Sequence, residues 1–183
     1  MRHAATRATR SAAFPVDEPL DDRAPAAVLG ALLPARSSVL TSPALRCRQT
    51  AQAAGLDARV VPDIRGCDFG RWAGSSLEEV AACEADDVSQ WMTDPDAAPH
   101  GGESLAAFSA RVAGWLADQA AQDGVAIAIT HAELVKAAVV HALAAPFEAF
   151  WRIDAAPLSL TELHAHDGRW TLTRLNHPLA SAA

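Results

Sequence analysis

The sequence predicts an α/β domain in which helices flank both faces of a largely parallel sheet. Short apolar runs alternate with segments of helical period, the order that builds such sheets. Two of those runs end in polar pairs, Thr41-Ser42 and Thr130-His131, and open α/β sheets bind ligands beyond the carboxyl ends of their strands. With 183 residues, half of them hydrophobic, the chain can bury one sizeable core, so residues 1–183 are expected to form a single domain.

The elements follow in order. Residues 2–22 read as loop, because Phe14-Pro15 and Glu18-Pro19 break any helix. A helix is expected over residues 26–33, with Asp22 as an upstream cap, Pro25 in a first-turn position and Pro34 as the stop. Ser38 to Thr41 reads as a short buried strand. Residues 44–54 are helical and end at Gly55, a natural C-terminal cap. Residues 59–61 form a second strand, followed by a Gly-rich loop through Gly74 and helical material from Leu77.

Residues 93–102, with Asp94-Pro95 and Pro99-His100-Gly101-Gly102, form a turn-rich loop. It gives way to a helix over 104–122, where Leu105, Phe108, Val112, Trp115 and Leu116 recur at helical spacing as a core stripe. The apolar run 125–129, bounded by Gly124 and Thr130, has the character of a fully buried parallel strand. A helix is expected over 133–143 and a shorter one after Pro146. Residues 158–163 and 170–175 pair as a hairpin around Asp167-Gly168.

Composition narrows the function. A formal net charge of -7 argues against a general nucleic-acid binder, whose affinity would rest on a basic surface. Any anionic ligand must then be held by a local basic site, and seven of the 15 lysines and arginines fall within the first 48 residues. The three cysteines, Cys47, Cys67 and Cys83, are an odd number without metal-type spacing, which fits a reducing cytoplasm rather than a disulfide framework or structural zinc. No apolar run is long enough to span a bilayer, so neither membrane nor nucleic acid is expected as a partner. A homodimer is compatible with the chain.

Arg2-His3 and Thr130-His131, with Thr41-Ser42-Pro43-Ala44-Leu45-Arg46 between them, offer two imidazoles and two guanidiniums to one pocket. That set suits phosphoryl transfer. A phosphoryl group in flight spreads charge over three oxygens and needs fixed cations around it. Arginine forks match those oxygens bidentately, and a neutral imidazole can attack phosphorus. Arg46 sits in the first turn of a helix, where the macrodipole disfavours a cation, and this points to an anion site.

Five segments carry a family resemblance. Arg2-His3-Ala4-Ala5-Thr6, the run Ser42 to Ala51, Asp68-Phe69-Gly70-Arg71-Trp72-Ala73-Gly74, Gly101-Gly102-Glu103-Ser104 and Thr130-His131 resemble, in order and spacing, the histidine phosphatase (phosphoglycerate-mutase-like) superfamily across essentially the whole chain. The resemblance implies a three-layer α/β/α sandwich, its sheet mostly parallel with one antiparallel strand. It also implies metal-independent chemistry without a cofactor, through a phosphohistidine on His3. Arg2, Arg46 and His131 would complete the pocket, Thr6 would lie near the phosphoryl oxygens, and Arg7 and Arg10 would belong to the substrate loop.

Two departures from the family pattern stand out. The acid that protonates the leaving alcohol usually lies four residues before the glycine of the Phe-Gly pair, and here that position is Gly66. Asp68 and Glu103 are the replacement candidates; Asp68 could equally be a turn residue and Glu103 a helix cap. Secondly, the family carries a buried central strand before its Arg-His pair, where this chain has only Met1. That first strand is therefore expected to be absent or truncated, with the natural start lying upstream or the motif held by loops.

The expected activity is hydrolysis of a small phosphometabolite or phosphosugar; likeness to α-ribazole phosphatases is unspecific. Alternatives are a catalytically weak family member that binds phosphorylated ligands or a protein, a mutase-type phosphoryl transferase and a metallohydrolase. Residues 14–22 and 84–102 are expected to shape the mouth of the site. His100, His141, His164, His166 and His177 are expected on the surface or in packing roles.

Overall fold

The computed structural model describes residues 1–21 and 37–179. The helix expected over 26–33 lies outside them. Strand β1 (Ser38–Thr41) is central to a parallel sheet, flanked by β2 (Arg59–Val60) and β3 (Ala126–Ile129). Its register is set by Val39 opposite Ile127 and Leu40 opposite Ala128. The antiparallel component is a two-stranded pair, β4 (Ser159–His166) with β5 (Arg169–Pro178). Asp167 and Gly168 join them with positive φ at both residues, the geometry of a tight hairpin turn.

Period-two side-chain alternation gives the sheet its two covered faces. On one, Val39 and Ile129 pack with Met1 and with Cys47 and Ala51 of helix α2 (Leu45–Ala53). On the other, Leu40 and Ala128 meet helices α5 (Leu105–Ala120) and α6 (Ala132–Ala142) through Phe108, Val112, Leu134 and Ala138. The expected stripe of α5 is the buried one, with Trp115 only partly covered at its edge. Helix α2 ends as expected, because Gly55 at φ +68 lets the next amide reach back to the Ala51 carbonyl.

Residues 2–22, expected as loop, hold a five-residue helix α1 (Arg7–Ser11). Thr6 and Thr9 cap it reciprocally, each side chain meeting the other's backbone amide, and this local signal outweighs the prolines further on. After the Gly-rich loop, α3 (Leu77–Cys83) and α4 (Ala85–Thr93) are two helices broken at Glu84, whose carboxylate accepts from Trp72 Nε1 and Arg71.

A short ladder stands where the first central strand was expected to be absent or truncated. Met1 to His3 run parallel to β3: Thr130 N donates to Met1 O, and His3 N to Thr130 O at 2.9 Å. On the other edge Arg2 N donates to Ser159 O, so these residues join the parallel strands to the β4–β5 pair. The central backbone groups are thereby paired.

Candidate active site

Three chain segments converge at the carboxyl ends of β1 and β3. Met1 to His3, held by their ladder to β3, deliver Arg2 and His3. The end of β3 delivers His131 as the residue capping α6, and the first turn of α2 delivers Arg46. His3 and His131 meet edge to face with ring centroids 5.4 Å apart. A cavity of about 220 Å³ opens over them, lined also by Arg2, Arg46, Thr6 and Glu133. Phe14, Pro15 and Trp91 form part of its wall, so both segments expected at the mouth reach it.

Each imidazole has a fixed tautomer. His3 Nδ1 lies 2.6 Å from the Ala4 carbonyl oxygen, which can only accept, so Nδ1 carries the proton and Nε2 keeps its lone pair. Burial, then electrostatic interaction with the His131 ring and with the guanidiniums of Arg46 and Arg2, holds His3 below its ordinary range as a free base. In His131, Nδ1 accepts from Arg46 Nη2 at 3.1 Å, and Nε2–H therefore donates to Ser42 Oγ at 2.8 Å. Burial and the guanidiniums of Arg46, Arg2 and Arg111 hold this ring neutral too.

The arginines are anchored from behind. Arg2 Nη1 donates to Ala155 O at 2.6 Å, and Arg46 Nη1 to Val16 O at 3.0 Å. The Nε atoms of both are buried without a hydrogen-bond partner among the described residues. Far from being solvated on a helix surface, Arg46 is 5% exposed. Thr50, one turn further along α2, accepts from Ala4 N at 3.0 Å and donates to Arg46 O at 2.7 Å, tying the nucleophile segment to the arginine helix.

Not every expected site residue arrives here. Thr6 lines the cavity, but its hydroxyl is engaged in capping α1. Arg7 is exposed and Arg10 pairs with Asp21 at 2.6 Å, so neither lines the cavity. Asp68 is a turn residue whose Oδ1 accepts from Gly70 N at 2.9 Å. Glu103 does not cap α5, which Ser104 does; it forms a two-pronged pair with Arg111 at 2.7 and 3.0 Å. Arg111 also donates to the carbonyls of Asp63, Arg65 and Gly66, so the pair clamps the loop beneath the site.

Sequence reasoning passed over Glu133, which lines the cavity, and Ser42 as the partner of His131. His100 is 1% exposed and accepts from Gly102 N, a packing role as expected, whereas His141, His164, His166 and His177 are exposed. All three cysteines are free, and burial pushes Cys47 up to about 12. Among the described residues no three His, Cys, Asp or Glu side chains are grouped to hold a metal ion, and no helix is long and apolar enough to cross a membrane.

Fold and site together define a class: a three-layer α/β protein whose cationic pocket, two imidazoles fenced by two guanidiniums, suits an oxyanion. Residues 1–178 match the histidine phosphatase superfamily (branch 1), and the chain belongs to that superfamily. Its relatives include phosphoserine phosphatase 1 of Hydrogenobacter thermophilus, 27% identical over 143 residues that cover 76% of this chain and 68% of that protein. The bifunctional protein Rv2228c of Mycobacterium tuberculosis is 30% identical over 154 residues, which make up 40% of its length. Among solved structures, a putative α-ribazole-5'-phosphate phosphatase of Escherichia coli superposes with a TM-score of 0.83 at 23% identity, covering 97% of this chain and 95% of that one. A mycobacterial glucosyl-3-phosphoglycerate phosphatase in complex with VO3 gives 0.80 at 25% identity, covering 96% of each chain.

Proposed function

We propose that this protein is a metal-independent phosphomonoesterase that works through a phosphohistidine on His3, with a small phosphorylated metabolite as substrate. One observation carries the reading: His3 presents a free Nε2 lone pair to a cavity whose other walls bring His131, Arg2 and Arg46. The guanidiniums of Arg2 and Arg46 and the His131 ring line the cavity that a phosphoryl group would enter. In the first half-reaction the Nε2 lone pair forms the N–P bond while the P–O bond to the alcohol breaks. In the second, water attacks the phosphorus, the N–P bond breaks with its electron pair returning to His3 Nε2, and inorganic phosphate is released. His131 would take up a proton as the dianion enters and clamp the transferring group. Fixed cations stabilise the transition state without reorganising, the effect that dominates most such active sites.

The cavity volume favours a small ester, and the names of the relatives point to phosphorylated hydroxy-acid or sugar derivatives without singling one out. The three free thiols support a reducing, cytoplasmic setting. The test is rapid quenching during turnover of 4-nitrophenyl phosphate with a chelator present. The expected result is acid-labile, base-stable phosphate on His3, absent from His3→Ala. A wild-type enzyme that turns over with no such label, or that loses activity to the chelator, would overturn the proposal.

A further inference from the structure

Attack by His3 leaves an alkoxide that needs a proton, and the two carboxylates expected to supply it are turned to other tasks. Asp68 closes a turn and Glu103 is held by Arg111. Glu133 is differently placed. It lies in the first turn of α6, two residues after His131, and lines the cavity with His3, Arg2 and Arg46. Its Oε1 is buried without a hydrogen-bond partner among the described residues.

Two further observations place this side chain. A second cavity, about 160 Å³, adjoins the first and shares Phe69, Trp91, Ala132 and Glu133 with it; Phe150 and Lys136 help close its far side. Glu133 thus borders both spaces, where the bond between a phosphoryl group in one and an alcohol in the other would be broken. Secondly, a side chain starting from Gly66 would begin 2.8 Å from Glu133 Oε1 and 3.5 Å from the His131 ring. The carboxylate of Glu133 fills the room that an acid at position 66 would need, reaching it from the helix instead of the loop.

We infer that Glu133 is the proton donor to the leaving alcohol, taking the place of the acid that Gly66 cannot provide. This rests on the phosphohistidine reading above. In the first half-reaction the Glu133 carboxyl proton passes to the departing oxygen as the P–O bond breaks, giving a neutral alcohol and a carboxylate. In the second, the carboxylate takes a proton from the water that attacks the phosphohistidine and is restored.

The competing explanation is structural, because an acid in the first turn of a helix stabilises it through the dipole. Leaving-group dependence separates the two. Wild type, Glu133→Gln and Glu133→Ala are compared on glycerol 2-phosphate, whose alkoxide must be protonated, and on 4-nitrophenyl phosphate, whose phenolate need not be. The expected result is a fall in kcat/KM of about 10²–10⁴ on the alkyl ester. On the aryl ester the loss stays below about tenfold, with His3 still labelled, which also shows that the variants are folded. Equal losses on the two esters in both variants, or no loss on either, would overturn the assignment of Glu133 while leaving phospho-His3 standing. Absence of label in the wild type would overturn both.

Discussion

His3 and His131 share one cavity, yet each side chain is told which nitrogen to protonate by a different neighbour, a carbonyl for the first and the Arg46 guanidinium for the second. The Ser42 hydroxyl holds the other nitrogen of His131 at 2.8 Å. Ser42→Ala leaves the buried His131 Nε2–H only the weak acceptor Cys47 Sγ at 3.7 Å, at a cost of about 1–3 kcal/mol, and lets the ring turn away from Arg46, the contact that fixes its tautomer. The expected outcome is a fall in kcat of about tenfold or more with a mixed tautomer population, read from the ¹⁵N shifts of the imidazole; unchanged shifts would exclude this role. At this scale the sequence was informative wherever chemistry restricts the residue type. An Arg-His pair and a Thr-His strand end announce themselves. Glu133 does not, because a glutamate in a first helical turn has an ordinary electrostatic reason to be there. Arg7 and Arg10 lie close to His3 in the chain, but the short helix α1 carries them away from the cavity.

Between elements, Thr50 is the tie that sets the distance from the nucleophile segment to α2, through Ala4 on one side and Arg46 on the other. Thr50→Val keeps the shape and removes both bonds. The variant is expected to lose about 1–3 kcal/mol in urea titrations without a change in m, since the Ala4 amide is left buried and unpaired. Because the lost tie runs to His3 and Arg46 together, kcat should fall more than KM rises; a drop in stability with kcat intact would show that the tie serves only the fold. Strand and helix positions were legible where period and punctuation agree, as in β1, β3 and the end of α2 at Gly55. Elements fixed by reciprocal side-chain caps or by remote partners were not. Thr6 with Thr9 makes a helix where prolines suggested loop, and Glu84 breaks a helix because Trp72 and Arg71 lie within its reach. The clamp of Arg111 on the carbonyls of Asp63, Arg65 and Gly66 joins residues far apart in sequence, which no local pattern displays.

For the whole molecule, the site imposes a pH dependence on folding. His3 and His131 are held neutral in the native protein, chiefly by burial, and His100 is lowered for the same first reason. In the unfolded chain each imidazole regains an ordinary value of about 6.5. Below that pH the unfolded state binds more protons than the native one, so stability falls as the solution is acidified and recovers above about pH 7. Each fully suppressed imidazole contributes a loss that approaches about 1.4 kcal/mol per pH unit. Between pH 7 and 5.5 this amounts to about 1 kcal/mol for His3 and again for His131. Chemical denaturation at the two pH values should show that decline, and His131→Asn should reduce it by about 1 kcal/mol even though the variant loses contacts at both. Inorganic phosphate should act in the opposite direction. An anion between the rings gives the imidazolium of His131 a partner in the native state, so the acid-side loss should shrink at saturating phosphate. If phosphate raised stability equally at both pH values, the anion would be binding without engaging an imidazole, and the cavity would lack the coupling on which the proposed chemistry depends.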